Sequence, residues 1–300
     1  TSNGSFNPPG WIADEDMRAE HSHRLLAEST GLLALIAMVW FLATEKRPWV
    51  RRIAIALVVV IILQGLLGGS RVLFDQQNTG TVSNLVAQTF AVLHAAGAEV
   101  TLCLWVTLAA ASSRAWMVNG VGTAPVSPAV RRWAHAAVAL LFIQIVIGAV
   151  MRHGRYALTI PYFPWSGPAH ELLPQWWSWG VAVNFAHRVG AALASIGLLG
   201  LAISILRDVP ARRQLGRVLG VVLALLVLQI LLGAWVIWDM KKTPDIATTH
   251  MLVGAFLLAS TWLVTLLAYR AHWWPSAGAE YAQPAPPDTS TVNSAATRPV

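Results

Sequence analysis

Four stretches of this chain, 53–70, 189–206, 218–238 and 246–269, run without a single Asp, Glu, Lys or Arg. Each is near or above the roughly 18 apolar residues that mark a membrane-spanning helix. A water-soluble fold could not cover so much uncharged surface. Only 12% of the 300 residues are charged, whereas ordinary globular chains carry about 25%. Cys103 is the only cysteine, which excludes a disulfide-stapled secreted scaffold. The net charge of +7 is dispersed among short loops, so it is no footprint for nucleic acid. The class that remains is an all-α polytopic membrane protein whose solvent is the lipid bilayer.

Hydropathy places seven spanning helices, near 20–43, 51–70, 85–112, 132–151, 178–206, 216–238 and 246–270. The connections holding Lys46, Arg47, Arg51 and Arg52, then Arg114, Arg131 and Arg132, then Arg207, Arg212, Arg213 and Arg217 are basic. The opposite side collects Asp14, Glu15, Asp16, Asp75, Glu171, Asp239 and Asp245. The positive-inside rule makes the basic connections cytoplasmic and puts the N-terminus outside. Residues 273–300, rich in Pro, Ala, Ser and Thr, read as a disordered tail.

The chain repeats itself. Glu20-His21-Ser22-His23-Arg24 corresponds to the segment around Phe185-Ala186-His187-Arg188 through the shared His-Arg pair. Gln64-Gly65-Leu66-Leu67-Gly68 corresponds to Gln229-Ile230-Leu231-Leu232-Gly233, and His94 to His250. The offsets of 164, 165 and 156 residues are those of a duplicated unit. Gln144-Ile145-Val146-Ile147-Gly148 opens the second unit and has no counterpart in the first. The expected architecture is therefore two pseudo-symmetric four-helix bundles, the first of which lacks its opening helix here. The divisions are an N-terminal half-bundle (1–112), a cytoplasmic linker (113–131), a C-terminal bundle (132–272) and the tail.

Four histidines stand at repeat-equivalent places: His23, His94, His187 and His250. All four fall in the outer half of helices that run from outside to inside. Two imidazoles at similar depth on facing helices can ligate one haem iron axially. Duplication then gives two iron sites, His23 with His94 and His187 with His250. Arg24 and Arg188 each follow a ligand candidate and suit haem propionates, which take bidentate cationic partners. The competing readings are interhelical hydrogen bonding, which ionisable residues in spans rarely serve alone, and zinc, for which neither pair has a completing Cys, Asp or Glu. His135 reads as structural, His21 points about 160° away from His23, His153 and His170 fall in a loop, and His272 is interfacial.

Glu20 precedes His23 by three residues and shares its helix face. The second unit has Asn184 there, which can act neither as acid nor as base. The first unit is thus expected to perform chemistry and the second to hold a cofactor, although a carboxylate in a first helical turn also complements the helix dipole. Glu28 and Glu99, each five residues after a histidine, read as a protonated pair between the first and third helices, with a short proton path as the alternative.

These residues resemble the haem A synthase family from Asn3 to Tyr269. The marks are Glu20-His21-Ser22-His23-Arg24, Phe185-Ala186-His187-Arg188, the loop Pro161-Tyr162-Phe163-Pro164-Trp165-Ser166-Gly167, and Gln229-Ile230-Leu231-Leu232-Gly233 leading to Ala247-Thr248-Thr249-His250. The resemblance implies an eight-helix fold and oxidation of the C8 methyl of haem O to the formyl of haem A, for cytochrome oxidase. It implies that His187 and His250 bind a resident haem b, that His23 and His94 hold the substrate haem, and that Glu20 is the catalytic carboxylate. It further implies a bacterial cell membrane, haem O delivered by a haem O synthase, and an electron donor that no motif identifies. The loop cysteines carried by some members are absent, and His21 stands where an aromatic residue is more usual.

Two other functions share the four histidines. One is a di-haem b-type, quinol-linked electron-transfer cytochrome; the other is a non-catalytic haem carrier or oxidase assembly factor. Lipid-facing surfaces also leave room for a homo-oligomer. The first rival leaves Glu20 without a role and would want ligands in both leaflets.

Overall fold

The computed structural model describes residues 11–76, 85–118 and 120–273. The tail from 274 onward and Asn3 lie outside the described residues. Among the described residues there are only helices: α1 (Glu15–Thr44), α2 (Pro48–Gln76), α3 (Leu85–Ser112), α4 (Arg114–Met117), α5 (Pro128–His153), α6 (Trp179–Arg207), α7 (Val209–Trp238) and α8 (Pro244–Trp273). All but α4 are long and apolar enough to cross a membrane. At 1.5 Å per residue, the 26 to 30 residues of these helices exceed the roughly 30 Å hydrocarbon core. This is an integral membrane protein, as its charge-free runs require.

The helices begin where a side chain can satisfy a free backbone N–H. Asp14 accepts from Met17 N, Ser127 from Val130 N, Ser178 from Val181 N and Asp208 from Ala211 N. Two of these caps correct the expected boundaries. Pro128 and Pro210 sit in the first turns of α5 and α7, where a missing N–H costs nothing. The basic connection expected at 207–217 shrinks to Asp208 alone, and Arg212, Arg213 and Arg217 ride on the first turns of α7. Long side chains reach the membrane surface from such positions. Linker 113–131 likewise contains α4 and the start of α5.

Helices α5 to α8 pack in a ring, each against the next and α8 back against α5. In the first half α1 packs on α2 and α2 on α3. The halves meet where α3 lies against α5 and α8, with Trp262 Nε1 donating to Thr107 Oγ1 at 2.9 Å. Burial follows this arrangement: 61% of the apolar stretch of α8 is inside the protein and only 6% of that of α1. The core below the histidines joins Ala134, Ala137 and Leu141 to Leu198, Leu201, Leu219, Val222 and Leu258.

The end opposite the histidines is tied down by buried polar contacts. The guanidinium of Arg270, 1% exposed, donates to the carbonyls of Val121 and Trp116 and lies 4.3 Å over the Trp116 ring. Gly122 has φ +84, and a Cβ there would meet the Leu267 carbonyl at 2.8 Å, so the linker can pass beneath α8 only as glycine. Arg47 bonds Glu45 and the Ala111 carbonyl, fastening the α1–α2 turn to α3. The Arg47 hydrogen bond holds the Glu45 carboxyl down at about 2.

Candidate functional site

His23 on α1 and His94 on α3 face each other with ring centroids 6.3 Å apart and planes at 87°. Two metal–imidazole bonds of about 2.0–2.1 Å, each extended by roughly 1.1 Å from nitrogen to ring centre, span about 6.2–6.4 Å. The centroid separation of the pair matches that span. His94 Nδ1 lies 3.1 Å from the Gln64 carbonyl. A carbonyl only accepts, so the ring proton sits on Nδ1 and Nε2 keeps its lone pair for a metal.

His187 and His250 occupy the matching places on α6 and α8, opposite members of the four-helix ring. Three histidines rest on a glycine of the preceding helix. A Cβ would come within 3.2 Å of His94 Cε1 at Gly68, 3.0 Å of His187 Cε1 at Gly148 and 3.1 Å of His250 Cε1 at Gly233. Any larger residue would push the imidazole aside. The Gln-x-x-x-Gly strings that mark the repeat in sequence are thus shelves for the histidines. Gln229 packs beside His250, its Nε2 3.3 Å from His250 Nε2. Among the described residues no three His, Cys, Asp or Glu side chains converge, so each pair offers at most two such donors. That donor set fits a haem, whose macrocycle supplies the remaining four nitrogens, better than it fits zinc.

The two pairs are built unequally. In the second half Arg188 donates to Asn184 Oδ1 at 3.0 Å and to the Trp165 and Ile160 carbonyls at 2.8 Å each. Asn184, 2% exposed, donates in turn to the carbonyls of Tyr156 and Ala157. These bonds tie the α5–α6 loop across the end of α6. At the equivalent places on α1, Glu20, His23 and Arg24 are exposed. Arg188 was expected to serve a propionate; its loop contacts could not be read from sequence, since they depend on the path of a 25-residue connection. An Arg188→Leu variant is expected to free that loop while leaving the spans intact. Charged hydrogen bonds contribute about 1.5–3 kcal/mol each, so amide exchange over residues 160–166 should rise at least roughly tenfold. Unchanged protection there would show that the loop holds itself.

Other expectations meet mixed outcomes. Glu28 and Glu99 do not pair: Glu28 is on the exposed side of α1, and Glu99 is half-buried on α3 with Oε2 unpartnered. Glu99 shares its helix face with Cys103 and Thr107, which turn toward the second half. His153 is the last residue of α5 rather than part of the loop, while His170 lies in it with φ 63 and its ring 5.2 Å from Trp165. His135 is structural, its Nδ1 2.6 Å from the Tyr269 hydroxyl. His21 is buried against Trp11, centroids 4.4 Å apart.

Residues 15–262 match the family model described as "Cytochrome oxidase assembly protein". Curated relatives along the same span are named heme A synthase. The chain belongs to the haem A synthase family. The relative from Symbiobacterium thermophilum is 29% identical over 77% of this chain and 72% of its own length. That from Geobacillus kaustophilus is 26% identical over 90% and 82%. A "Heme A synthase 2" from Acidiphilium cryptum is 30% identical over 80% and 67%. The matched residues include Glu20 and all four histidines.

Proposed function

We propose that this protein is a haem A synthase, an oxidoreductase that converts the C8 methyl of a haem O substrate to a formyl group. The contrast at repeat-equivalent positions carries the reading. In the second unit Asn184 is spent on a loop, bonding the Tyr156 and Ala157 carbonyls and Arg188, whereas the first unit carries Glu20 at that place, a carboxyl able to exchange a proton. A proton-exchanging group beside the first pair supports substrate chemistry there and a resident cofactor at the second.

In this reading His187 and His250 hold a haem b, which supplies redox chemistry when bound. His94, its proton fixed on Nδ1, and His23 place the substrate haem. Arg24, one residue beyond His23, pairs with a propionate at the membrane surface, where its charge keeps contact with water. Glu20, one helical turn from His23, accepts the proton released as the oxidised methyl carbon is captured by oxygen from water or dioxygen. Two such steps, each drawing two electrons from the methyl carbon to dioxygen or an external electron acceptor, give a gem-diol that loses water to leave the aldehyde. The basic inner ends support sites on the outer side of the membrane, in this reading a bacterial cell membrane, with haem O arriving from a haem O synthase.

The test is chemical identification of the extracted haems after expression with and without a haem O source. Haem b alone before, and haem b with hydroxylated haem or haem A after, is the expected result. Only haem b under both conditions would assign an electron-transfer cytochrome. Haem O bound but unconverted would assign a carrier or assembly factor.

A further inference from the structure

A haem carries two propionates, and at the second pair the arginine expected to hold one is otherwise engaged. Arg188 spends its guanidinium on Asn184 and on the carbonyls of Ile160 and Trp165. A second arginine stands near the same histidines. Gly148 is the point at which α5 meets the His187 ring. Arg152 follows it by four residues, so it lies on the same face of α5, about 6 Å nearer the α5–α6 loop. Its guanidinium crosses to α8, where Nη1 lies against the sulfur of Met251, the residue after His250. The side chain thus extends from the helix that supports His187 to the helix that carries His250.

The charges around it are unbalanced. A thioether is a neutral, weak acceptor, and among the described residues Arg152 pairs with no carboxylate. The next residue, His153, sits in the fields of Arg71, Arg152 and His94, so basic groups from α2, α3 and α5 gather at this end of the protein. Like charges drawn together without a counter-charge repel one another, and an anion bound among them relieves that repulsion. The Arg152 guanidinium is exposed, so a carboxylate can reach it while keeping its own contact with water. Leaving a thioether for a carboxylate exchanges a weak contact for a charge-assisted one.

We propose that Arg152 is the carboxylate-binding residue of the second site: its planar fork holds a propionate of the haem ligated by His187 and His250, the role that the loop contacts of Arg188 leave vacant. This rests on the reading of those two histidines as haem ligands. Two parallel N–H donors match the two carboxylate oxygens, a fit that a lysine ammonium at the same place could not reproduce.

The test uses the detergent-solubilised full chain with His94→Ala, which leaves the second pair as the one complete pair. This parent is titrated with haem b and with haem b dimethyl ester, whose propionates carry no charge. It is expected to bind the acid roughly tenfold more tightly than the ester. R152Q should bind the two alike, with its affinity for haem b weakened about tenfold. The midpoint potential of its bound haem should also fall, because removing a nearby cation disfavours the reduced state and its extra negative charge. R152K keeps the charge without the fork and should retain only part of the preference for the acid. R155Q, three residues further on, removes a neighbouring positive charge and should behave as the parent. An undiminished acid preference in R152Q overturns the proposal, as does an equal loss in R155Q, which would mark a general surface field. If R152Q does not accumulate, R152K decides, and a preference equal to the parent's overturns it too. Adding His250→Ala separates the two levels: if haem b still binds as before, the ligand reading itself fails. If binding is lost while R152Q keeps the acid preference, only the role of Arg152 fails.

Discussion

On the proposed function, replacing His250 with alanine is expected to abolish haem binding at the second site while leaving the fold and the first site in place. The imidazole rests against Gly233 and beside the Gln229 carboxamide, so its loss opens a small gap without touching the helix backbone. A haem there would keep His187 as its one protein ligand. The core beneath, around Leu257 and Leu258, is untouched, and α8 keeps its contacts with α3, α5 and α7. The measurement is haem per polypeptide by pyridine haemochrome, with the reduced-minus-oxidised spectrum. Content should fall by about the share of one site, and the low-spin signature of the lost pair should vanish. His135→Ala is the control, because its ring bonds Tyr269 at the opposite end of the bundle and its loss should leave haem content unchanged. Full haem content in the His250 variant would end the assignment of His187 and His250 as a ligand pair.

The spans were legible because each charge-free run had one physical solution, a helix long enough for a bilayer. Their ends were less so. Asp208 closes α6 and caps α7 at once, and hydropathy is blind to a turn of one residue whose following helix begins with arginines. The histidines were legible by repetition alone. Their shelves were not, because a Gln-x-x-x-Gly string marks a repeat without revealing which way its helix is rotated. Only packing shows that Gly68, Gly148 and Gly233 each meet the Cε1 of an imidazole. The Glu28–Glu99 pair failed for the same reason. Each residue sits five positions after a histidine, but α1 packs mainly on α2 and leaves Glu28 outward. Arg188 shows the limit set by loops: its carbonyl partners at Ile160 and Trp165 lie more than twenty residues away, with no periodicity to announce them.

The contrast between Glu20 and Asn184 leads to the most decisive variant. Asn184 spends its carboxamide on the carbonyls of Tyr156 and Ala157 and on Arg188, so the second unit uses this position to hold a loop. Glu20, exposed one turn from His23, has the same address and a group that can exchange a proton. Glu20→Gln keeps the size and hydrogen-bonding reach of the side chain and removes only that capacity. Both histidine pairs are unaltered, so haem content and low-spin spectra should match the parent. Formation of haem A from supplied haem O should fall by about 100-fold or more, the range in which a positioned acid or base contributes. Unconverted or singly hydroxylated haem should accumulate in the first site and be recovered on extraction. Glu20→Asp, with the carboxylate withdrawn by one methylene, should restore part of the rate, as a proton-transfer role requires. Undiminished haem A in Glu20→Gln would remove this carboxylate from the chemistry. Loss of haem binding instead would make it a residue that places the substrate.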